Sequence, residues 1–411
     1  MLPKGWKSVL LDHAAKRGSG HTPSKDYAEY WNGGIKWISL ADSSRLDKGL
    51  VAHTDKEISL AGVQNSSAVV HPVGTVVLSR DAGVGKSGVI AEEMAVSQHF
   101  IAWNCSNSTE LHNWYLYYWL QQQKPEFERV AVGSTIKTIG LPYFKKLKIT
   151  LPPYREQRKI AQILSTWDRA IVTAEGLLLN GQRRTRDLMA SILSGHRRFP
   201  GFSDKWRSRD LDTVFERITR KNSTQNTNVL TISGEHGLIS QRDYFNKSVA
   251  SPNLSGYTLL QRQDFAYNKS YSSGYPMGAI KPLMAYDAGV VSSLYLCFRL
   301  REDAGADFDF FRHYFEAGML NREIEGIAQE GARNHGLLNV SVTDFFKLQL
   351  HIPGVPEQRR IAEVINAARA EEALMQAQVQ ALRQEKAALM SQLLTGKRRI
   401  KLADAETEVQ T

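Results

Sequence analysis

Cysteine is scarce in this 411-residue sequence, which contains only Cys105 and Cys297. The two lie far apart, and neither has another cysteine or a histidine nearby at the spacing of metal ligands. This usage argues against a disulfide-stapled fold and a zinc module, and it indicates a protein of a reducing compartment. Both cysteines lie in apolar, strand-like runs, so we predict that they are buried core thiols.

The sequence also lacks long apolar runs. No stretch reaches the roughly 18 apolar residues that a membrane-spanning helix needs, and residues 1–6 have no apolar signal-peptide core. We therefore expect a cytoplasmic protein. Apolar residues still make up 42% of the chain, which is enough for packed cores, and the length predicts two or three domains.

Complete catalytic motifs are absent as well. Residues 83–87 resemble the end of a phosphate-binding loop, but Arg80 replaces the first glycine of that motif. Residues 151–154 read Leu-Pro-Pro-Tyr and lack the polar first residue with which amino-methyltransferases hold an amino group. The chain has no His-Glu-x-x-His helix and no Asp/Glu-x-Lys nuclease pattern. We predict no catalytic residue, no metal site and no enzymatic activity in this chain.

Acidic residues are outnumbered by basic ones. The 52 lysines and arginines against 42 aspartates and glutamates give a formal net charge of +10. A strongly basic surface attracts polyanions, so nucleic acid is the leading class of partner.

The most informative pattern is one segment that occurs twice. Residues 156–161 read Glu-Gln-Arg-Lys-Ile-Ala, and residues 357–362 read Glu-Gln-Arg-Arg-Ile-Ala. Gly195 and Gly396, each followed by basic residues, close the two copies, so the offset is 201 residues at both ends (357 − 156 and 396 − 195). Between these ends apolar residues recur about every 3.5 positions, which predicts two long coiled-coil helices that each stop at a left-handed glycine. Their equal length suggests a spacer.

A globular block precedes each predicted helix, and the two blocks share one plan. The openings Trp6-Lys7-Ser8 and Trp206-Arg207-Ser208 are offset by 200 residues, and Phe144 and Phe345 by 201. Turn residues separate short strand-like runs in both blocks. Because the loops differ while the helices do not, we predict two readers of different targets on one spacer.

Finer features of the blocks complete the plan. We predict a core helix at 111–123 with its counterpart at 310–324, and we align residues 263–267 with residues 73–77. The predicted organisation has two globular domains, at residues 1–150 and 200–352, each followed by a spacer helix, at residues 151–199 and 353–402. Residues 403–411 are predicted to form a polar tail.

On these residues the chain resembles a specificity (S) subunit of a type I DNA restriction–modification system, through residue 402. The two Glu-Gln-Arg-Lys/Arg-Ile-Ala segments carry the resemblance, together with Leu-Met at 188–189 and at 389–390. The loop at 18–24, the tryptophan openings and the basic ends of the helices add to it. The loop departs from the family pattern by an additional His21, and the second block has no such loop.

The resemblance implies an α+β fold. It would have two target-recognition domains, mostly β with helices, separated by two long antiparallel coiled-coil helices with an internal pseudo-two-fold duplication. Each domain would read half of a split, asymmetric target in double-stranded DNA, and the helices would set the gap. The helices would also dock two methyltransferase (M) subunits and, through them, two restriction (R) motor-nuclease subunits. S-adenosylmethionine, ATP and Mg would then act on those partners, and no cofactor is expected in this chain.

Candidate DNA-binding residues are loop side chains able to contact bases or phosphates. They are Lys36, Ser39, Ser79, Arg80, Lys86, Ser134 and Lys137 in the first block, and His236, Arg242, Lys269, Tyr271, Tyr275, Arg333, Asn334 and His335 in the second. The candidate partner-binding and spacer residues are Glu156, Gln157, Arg158, Ile160, Leu164, Trp167, Glu357, Gln358, Arg359, Ile361, Ile365 and Leu389.

Other functions stay open at this stage. The chain is also compatible with a specificity subunit of a methylation-only or related defence system that has no nuclease. A different class is a free-standing coiled-coil DNA-binding regulator, and a third is a structural coiled-coil adaptor that does not contact DNA.

Overall fold

The computed structural model describes residues 2–106, 108–234, 236–245, 253–272, 274–330 and 338–400. The chain divides into two compact units. The first comprises Met1–Glu175 with Ala377–Thr411, and the second comprises Gly176–Gln376. Each long helix contributes one segment to each unit.

The first unit is built on two mixed sheets. Its strands are β1 (Lys7–Leu10), β2 (Lys16–Ser19), β3 (Trp31–Ile38), β4 (Leu50–Val51), β5 (Lys56–Ile58), β6 (Val70–His71), β7 (Val76–Ser79), β8 (Ser87–Ile90), β9 (Met94–Val96), β10 (Phe100–Asn104) and β11 (Lys148–Leu151). One sheet has the order β2-β10-β7-β8-β4 and the other β5-β3-β9-β6, while β1 pairs with β11.

Helices cover one face of the five-stranded sheet. They are α1 (Leu11–Ala14), α3 (Asn113–Val130), α4 (Leu141–Lys145) and the start of α5 (Tyr154–Leu193), whereas α2 (Leu60–Gln64) packs against β3 of the other sheet. Short 3₁₀ turns lie at Ala28–Tyr30 and Leu40–Ser44. Alternation along β7 explains the packing, because successive side chains of a strand point to opposite faces. Val76 and Leu78 join the core cluster that contains α3, and Val77 joins the cluster on the other face.

The second unit repeats this plan. Its strands are β12 (Arg207–Asp210), β13 (Phe215–Arg217), β14 (Leu230–Ser233), β15 (Gly237–Ser240), β16 (Thr258–Gln261), β17 (Phe265–Asn268), β18 (Ala279–Pro282), β19 (Ala288–Val291), β20 (Leu296–Leu300), β21 (Gln329–Glu330), β22 (Leu338–Asn339) and β23 (Gln349–Ile352). Its helices are α6 (Gln241–Phe245), α7 (Phe308–Glu316), α8 (Asn321–Ile327), α9 (Val342–Phe346) and α10 (Val355–Leu394), with a 3₁₀ turn at Leu211–Thr213. The main sheet has the order β13-β20-β17-β18.

The predicted alignment of 263–267 with 73–77 is wrong by one residue. In the structure β17 occupies the place of β7, so Phe265 corresponds to Val76, an offset of 189 (265 − 76). Phe265 and Tyr267 then face the helix-side core as Val76 and Leu78 do. A one-residue slip would turn every side chain to the other face.

The predicted core helix at 310–324 is also wrong as a single element. Two helices, α7 and α8, occupy this stretch, and the chain breaks between them. Gly318 has φ +68°, a left-handed conformation that ends the first helix. The helix predicted at 111–123 is confirmed and extends to Val130.

Both long helices have 40 residues, and both of their ends are offset by 201 (355 − 154 and 394 − 193). Gly195 and Gly396 follow them with φ +76° and +71°, as predicted. In the first unit Asp168 and then Glu175 of α5 contact Lys386 and then Arg383 of α10. In the second unit Arg184 and then Met189 of α5 contact Glu371 and then Arg369 of α10. The helices are therefore antiparallel within each unit.

Small residues keep the contact between the helices continuous where the apolar spacing has gaps. Gly181 and Thr185 are buried in α5. A Cβ at Gly181 would lie 3.4 Å from the Met375 sulfur, so the glycine makes room for that side chain. The predicted α+β fold with two long helices is confirmed, and both cysteines are buried, which raises the pKa of each thiol to about 12.

Candidate nucleic-acid interface and helix junctions

Three loops emerge side by side at one edge of the five-stranded sheet in the first unit. The pairings of Ile101 with Ser19 and of Phe100 with Ser79 put the ends of β2 and β7 next to the start of β10. The loops at 20–24, 80–86 and 97–99 therefore lie together. The Arg80 amide donates to the His99 carbonyl at 2.9 Å, which joins two of these loops directly.

A fourth loop, residues 131–138, joins this edge. The Ala82 amide donates to the Lys137 carbonyl at 3.3 Å, and the Ile139 amide donates to the Arg80 carbonyl at 3.0 Å. Ser134 and Lys137 are exposed on this loop. The structure thus brings Arg80, Ser134 and Lys137 to one surface.

Lys86 and Ser39 lie on either side of the 3₁₀ turn Leu40–Ser44. The Lys86 ammonium donates to the carbonyl and hydroxyl of Ser43, at 3.2 and 3.0 Å. Ser39 caps the start of the turn through Asp42, with 2.9 Å from the Ser39 amide to the carboxylate. Because the loop holding Lys86 joins two strands, it lacks the strand-to-helix context of a phosphate-binding loop.

The side chains of two predicted DNA-binding residues are already hydrogen-bonded to other parts of the chain. Ser79 is buried, and its hydroxyl donates to the Asp81 carbonyl at 2.7 Å. Lys36 lies within β3, where its ammonium donates to the Ala52 carbonyl at 2.6 Å and pairs with Glu92. Neither side chain presents a free group to a ligand.

The corresponding sheet edge of the second unit holds a cleft. Tyr267 pairs with Leu296 and Arg217 with Phe298, so the ends of β13 and β17 lie beside the start of β20. The polar side chains that line the cleft are Arg217, Thr219, Lys221, Thr258, Lys269, Ser293 and Tyr295. Its lining, all of it within the described residues, includes no carboxylate.

Of the residues that line this cleft, only Lys269 is among the DNA-binding candidates predicted from the sequence. Arg217, Thr219 and Lys221 are exposed; Arg217 is the last residue of β13, and the other two follow it. Alternating basic and polar residues at the end of a strand are only a weak sequence signal for a binding site. The strand pairing in the sheet, which the sequence does not show, is what brings these residues close to Lys269.

Lys281 connects three segments of the second unit beside the predicted Tyr275. Its buried ammonium donates to the Tyr275 hydroxyl at 2.7 Å and to the Gly234 carbonyl at 2.9 Å, and it pairs with Glu316 of α7. Burial, with the nearby Glu316 carboxylate, raises the pKa of Tyr275 above its usual range. This network holds the loop after β17 against the β14–β15 turn.

The remaining candidates of the second block are spread over several loops. His236 lies in the β14–β15 turn, where its amide donates to the Ser233 hydroxyl at 3.2 Å. Arg242 on α6 and Tyr271 after β17 are exposed. Arg333, Asn334 and His335 lie outside the described residues.

The glutamates of the duplicated motif form two reciprocal ion pairs. Glu156, at the start of α5, accepts two hydrogen bonds from Arg399, which follows α10, both at 2.9 Å. Glu357, at the start of α10, accepts two from Arg198, which follows α5, at 2.9 and 2.7 Å. Both carboxylates are buried, and Trp206 donates to Glu357 as well. Bidentate geometry fixes direction as well as distance.

The glutamines of the motif hold the core helices. The Gln157 side-chain oxygen accepts from the amide of His112, the residue before α3, and the Gln358 oxygen accepts from the amide of Asp307, the residue before α7, both at 2.9 Å. Each glutamine also donates to a proline carbonyl just before its own long helix. The start of each long helix is thereby joined to the start of a core helix.

The other candidate spacer residues differ in how far their side chains are exposed. Ile160, Leu164, Ile361 and Ile365 are buried in the cores of their units, while Arg158 and Arg359 are exposed, and Trp167 and Leu389 are half-buried. The buried glutamates, glutamines and isoleucines of the motif therefore serve contacts within the chain, while its arginines are exposed to solvent.

Two further properties concern the described part of the chain. Its helices include none that combines the length and apolar character needed to cross a bilayer. No group of three or more histidine, cysteine, aspartate or glutamate side chains is arranged there to hold a metal ion.

Comparison with known proteins identifies the family of residues 3–179. Residues 3–179 match the protein family described as "Type I restriction modification DNA specificity domain". These residues belong to that family. The predicted resemblance to a type I specificity subunit is thus confirmed.

Curated relatives of the type I specificity domain share a limited part of the chain. The MjaIX specificity subunit of Methanocaldococcus jannaschii is 27% identical over 172 residues, which is 41% of this chain and 39% of that protein. The EcoR124I/EcoR124II specificity subunit of Escherichia coli is 28% identical over 170 residues, 40% of each chain. The match thus spans about two fifths of the length of these relatives.

Solved structures extend the likeness in fold to nearly the whole chain. The S subunit from M. genitalium covers 97% of both chains with a TM-score of 0.54 at 14% identity. The HsdS subunit from Thermoanaerobacter tengcongensis gives 0.53 at 16% identity, over 97% of this chain and 98% of that one. A chain from a study of type I R-M complex assembly gives 0.60 at 15% identity, over 97% and 100%. The fold is that of type I specificity subunits.

Proposed function

We propose that this chain is the DNA-recognition subunit of a type I restriction–modification complex and reads a bipartite, asymmetric DNA target. Residues 1–150 and 200–352 are the two target-recognition domains. The observation that carries the proposal is the repeated sheet edge, which holds basic side chains in both units but different ones in each. Arg80, Lys86 and Lys137 stand there in the first unit, and Arg217, Lys221 and Lys269 in the second. Equal scaffolds with unequal loops suit two different half-sites.

The residues 151–199 and 353–402, which contain the long helices, act in this proposal as the spacer between the half-sites. Support comes from their equal length of 40 residues and from the reciprocal Glu156–Arg399 and Glu357–Arg198 pairs. Such pairs hold each helix start against the end of the other helix. A rigid spacer of this kind would fix the number of unread base pairs.

The proposal also includes docking of two methyltransferase subunits, and of the restriction subunits through them. Exposed side chains on the long helices support a partner surface, because the packing within each unit leaves them open to solvent. They are Arg158 and Arg359 among the charged residues, and Val172, Leu179 and Leu374 among the apolar ones. Chemistry would then reside in the partners, which supply S-adenosylmethionine, ATP and Mg, and this chain would be non-catalytic.

Mapping methylated adenines tests the proposal. The full chain is co-expressed with the methyltransferase encoded beside it, and adenine methylation is mapped across the host genome by long-read sequencing. We expect one split, asymmetric motif with a fixed gap. A continuous or palindromic motif contradicts two different readers, and no methylation favours the regulator or adaptor. Restriction of unmodified phage DNA separates a complete system from a methylation-only one.

A further inference from the structure

We propose that Arg80 reads the guanine of a G·C base pair in the half-site bound by the first unit, and that Asp81, which is paired with His99, positions the Arg80 side chain. This inference rests on the proposed DNA-recognition function and adds a base identity to it. Neither Asp81 nor His99 belongs to the sequence-based candidates. Their role follows from the sheet edge at which β7 ends and β10 begins.

Asp81 is a nearly buried carboxylate between two potential donors. Its exposed fraction is 9%, and one oxygen lies 2.8 Å from His99 Nδ1. The other oxygen lies 3.6 Å from Arg80 Nε, and neither of these two buried atoms has a hydrogen-bond partner in the described residues. A shift of about 0.7 Å would join them, because a normal hydrogen bond of this kind is about 2.9 Å long.

The terminal nitrogens of Arg80 are left for a ligand. Among the described residues none accepts a hydrogen bond from them, and the side chain retains 19% of its exposure. The backbone beneath is held on both sides, by the His99 carbonyl at the Arg80 amide and by the Ile139 amide at the Arg80 carbonyl. Asp81, next to Nε, therefore orients the planar guanidinium and leaves its two terminal nitrogens for a ligand.

This chemistry favours a base over a phosphate. A carboxylate next to the arginine repels a phosphate, whereas it orients the fork for the two acceptors of guanine, O6 and N7. Phosphate contacts fall instead to Lys86 and Lys137, which stand on the same surface without an acid bonded to their ammonium groups in the described residues. The edge thus separates a base-reading residue from phosphate-binding ones.

The second unit lacks this arrangement. With the β7–β17 offset of 189, Lys269 corresponds to Arg80 (80 + 189) and Ser270 to Asp81 (81 + 189). The cleft around Lys269 has no carboxylate among its lining residues. The predicted guanine contact therefore belongs to one half-site only.

The test uses the full chain in complex with its methyltransferase. Genome-wide methylation motifs are compared for the wild type, Arg80→Ala, Arg80→Lys, Asp81→Asn and the Arg80→Ala/Asp81→Asn double variant, with Lys269→Ala as the matched control in the other unit. We expect a G·C pair at one position of a half-site that Arg80→Ala relaxes to any base, and that Arg80→Lys relaxes in part because lysine keeps a donor but lacks the planar fork. In vitro, the preference of the complex for that pair falls in Arg80→Ala from about 10- to 100-fold to less than about threefold.

Asp81→Asn separates positioning from a merely structural role. It should weaken the preference for the G·C pair at that position and at no other. In the Arg80→Ala background it should have no further effect on this preference. The inference is overturned if Arg80→Lys relaxes no position of the motif, or if the position that it relaxes is an A·T pair. It is also overturned if Arg80→Ala and Asp81→Asn act at different positions and their effects add in the double variant. If Arg80→Ala abolishes methylation altogether, the Arg80→Lys motif decides in the same way. Failure of the proposed function is distinct, since the wild type itself then yields no split motif.

Discussion

At the residue scale, the repeated motif is explained by demands within the chain. Gln157 and Gln358 each satisfy the backbone amide before a core helix and a carbonyl before a long helix, and both are buried. A buried polar group without a partner is costly, so no apolar residue of similar size replaces these glutamines without loss. The motif is therefore a structural joint, which is compatible with partner binding only through its exposed neighbours.

Truncating Gln157 tests this joint. We expect Gln157→Ala to lower the free energy of unfolding by about 1–3 kcal/mol, because the His112 amide and two carbonyls lose their partner. Chemical denaturation of the full chain measures the change. Gln162→Ala, an exposed position on the same helix, should stay within about 0.5 kcal/mol of the wild type. Equal effects of the two variants would contradict the assignment.

The glycine that ends α5 gives a second residue-scale prediction. Gly195 has φ +76°, and a Cβ there would lie 3.3 Å from the Trp206 ring. We expect Gly195→Ala to destabilise the chain by about 1 kcal/mol or more. Gly176→Ala is the matched control, since that helical glycine faces open space, and we expect it to stabilise by about 0.5–1 kcal/mol. Thermal unfolding should move in opposite directions for the two.

His313 makes the stability of the second unit depend on pH. Burial lowers its pKa from the ordinary value of 6.5, although Asn366 bonds the ring. The folded state thus favours the neutral ring, so this contribution is present above pH 6.5 and is lost as the pH falls through the lowered pKa. We expect His313→Gln to lose less stability than the wild type between about pH 7 and pH 5. Parallel thermal-unfolding profiles would contradict this.

At the element scale, what matters is that the two helices match in length. Their apolar spacing predicts a coiled-coil contact, and the buried positions Ile171, Leu178 and Val379, which lie outside the domain cores, agree with it. The polar contacts between the helices were not predictable in the same way. Asp168 meets Lys386 and Arg184 meets Glu371 because antiparallel packing sets which positions face each other.

Matched deletions test the spacer. Removing seven residues, two helical turns, from the same register position of α5 and α10 shortens both by about 10 Å. We expect the complex to keep both half-sites and to prefer a gap shorter by about three base pairs, at about 3.4 Å per base pair. Deleting the segment from α5 alone should abolish methylation, because the reciprocal ion pairs can no longer form together. An unchanged gap after the matched deletion would show that the helices are not the ruler.

At the scale of the whole molecule, one scaffold carries two chemically different surfaces. The first unit offers an arginine oriented by a carboxylate, and the second a cleft lined by Arg217, Lys221 and Lys269 without an acid. A duplicated fold allows this because the loops at the sheet edge are not constrained by the core. The charge of the chain indicated nucleic acid but not where it binds.

Neutralising the cleft tests that placement. We expect the triple variant Arg217→Ala/Lys221→Ala/Lys269→Ala to weaken DNA binding of the full complex and to reduce the slope of log K against log salt by about 0.9 for each lost phosphate contact. Base preferences in the other half-site should not change. The control replaces Lys205, Arg322 and Lys347, which are exposed and outside the cleft. An equal change of slope in the control would remove the cleft from the interface.

The sequence by itself determined the duplication, the long helices, their glycine stops and the family. These features depend on local propensity and on spacing along the chain, and a repeat offset of 201 is visible without coordinates. Only the tertiary structure decided the partners of Glu156 and Gln157, the burial of Ser79, and the Arg80–Asp81–His99 site. Those depend on sheet register and on antiparallel helix packing, which join residues far apart in the chain, and a one-residue slip in register changes every such contact.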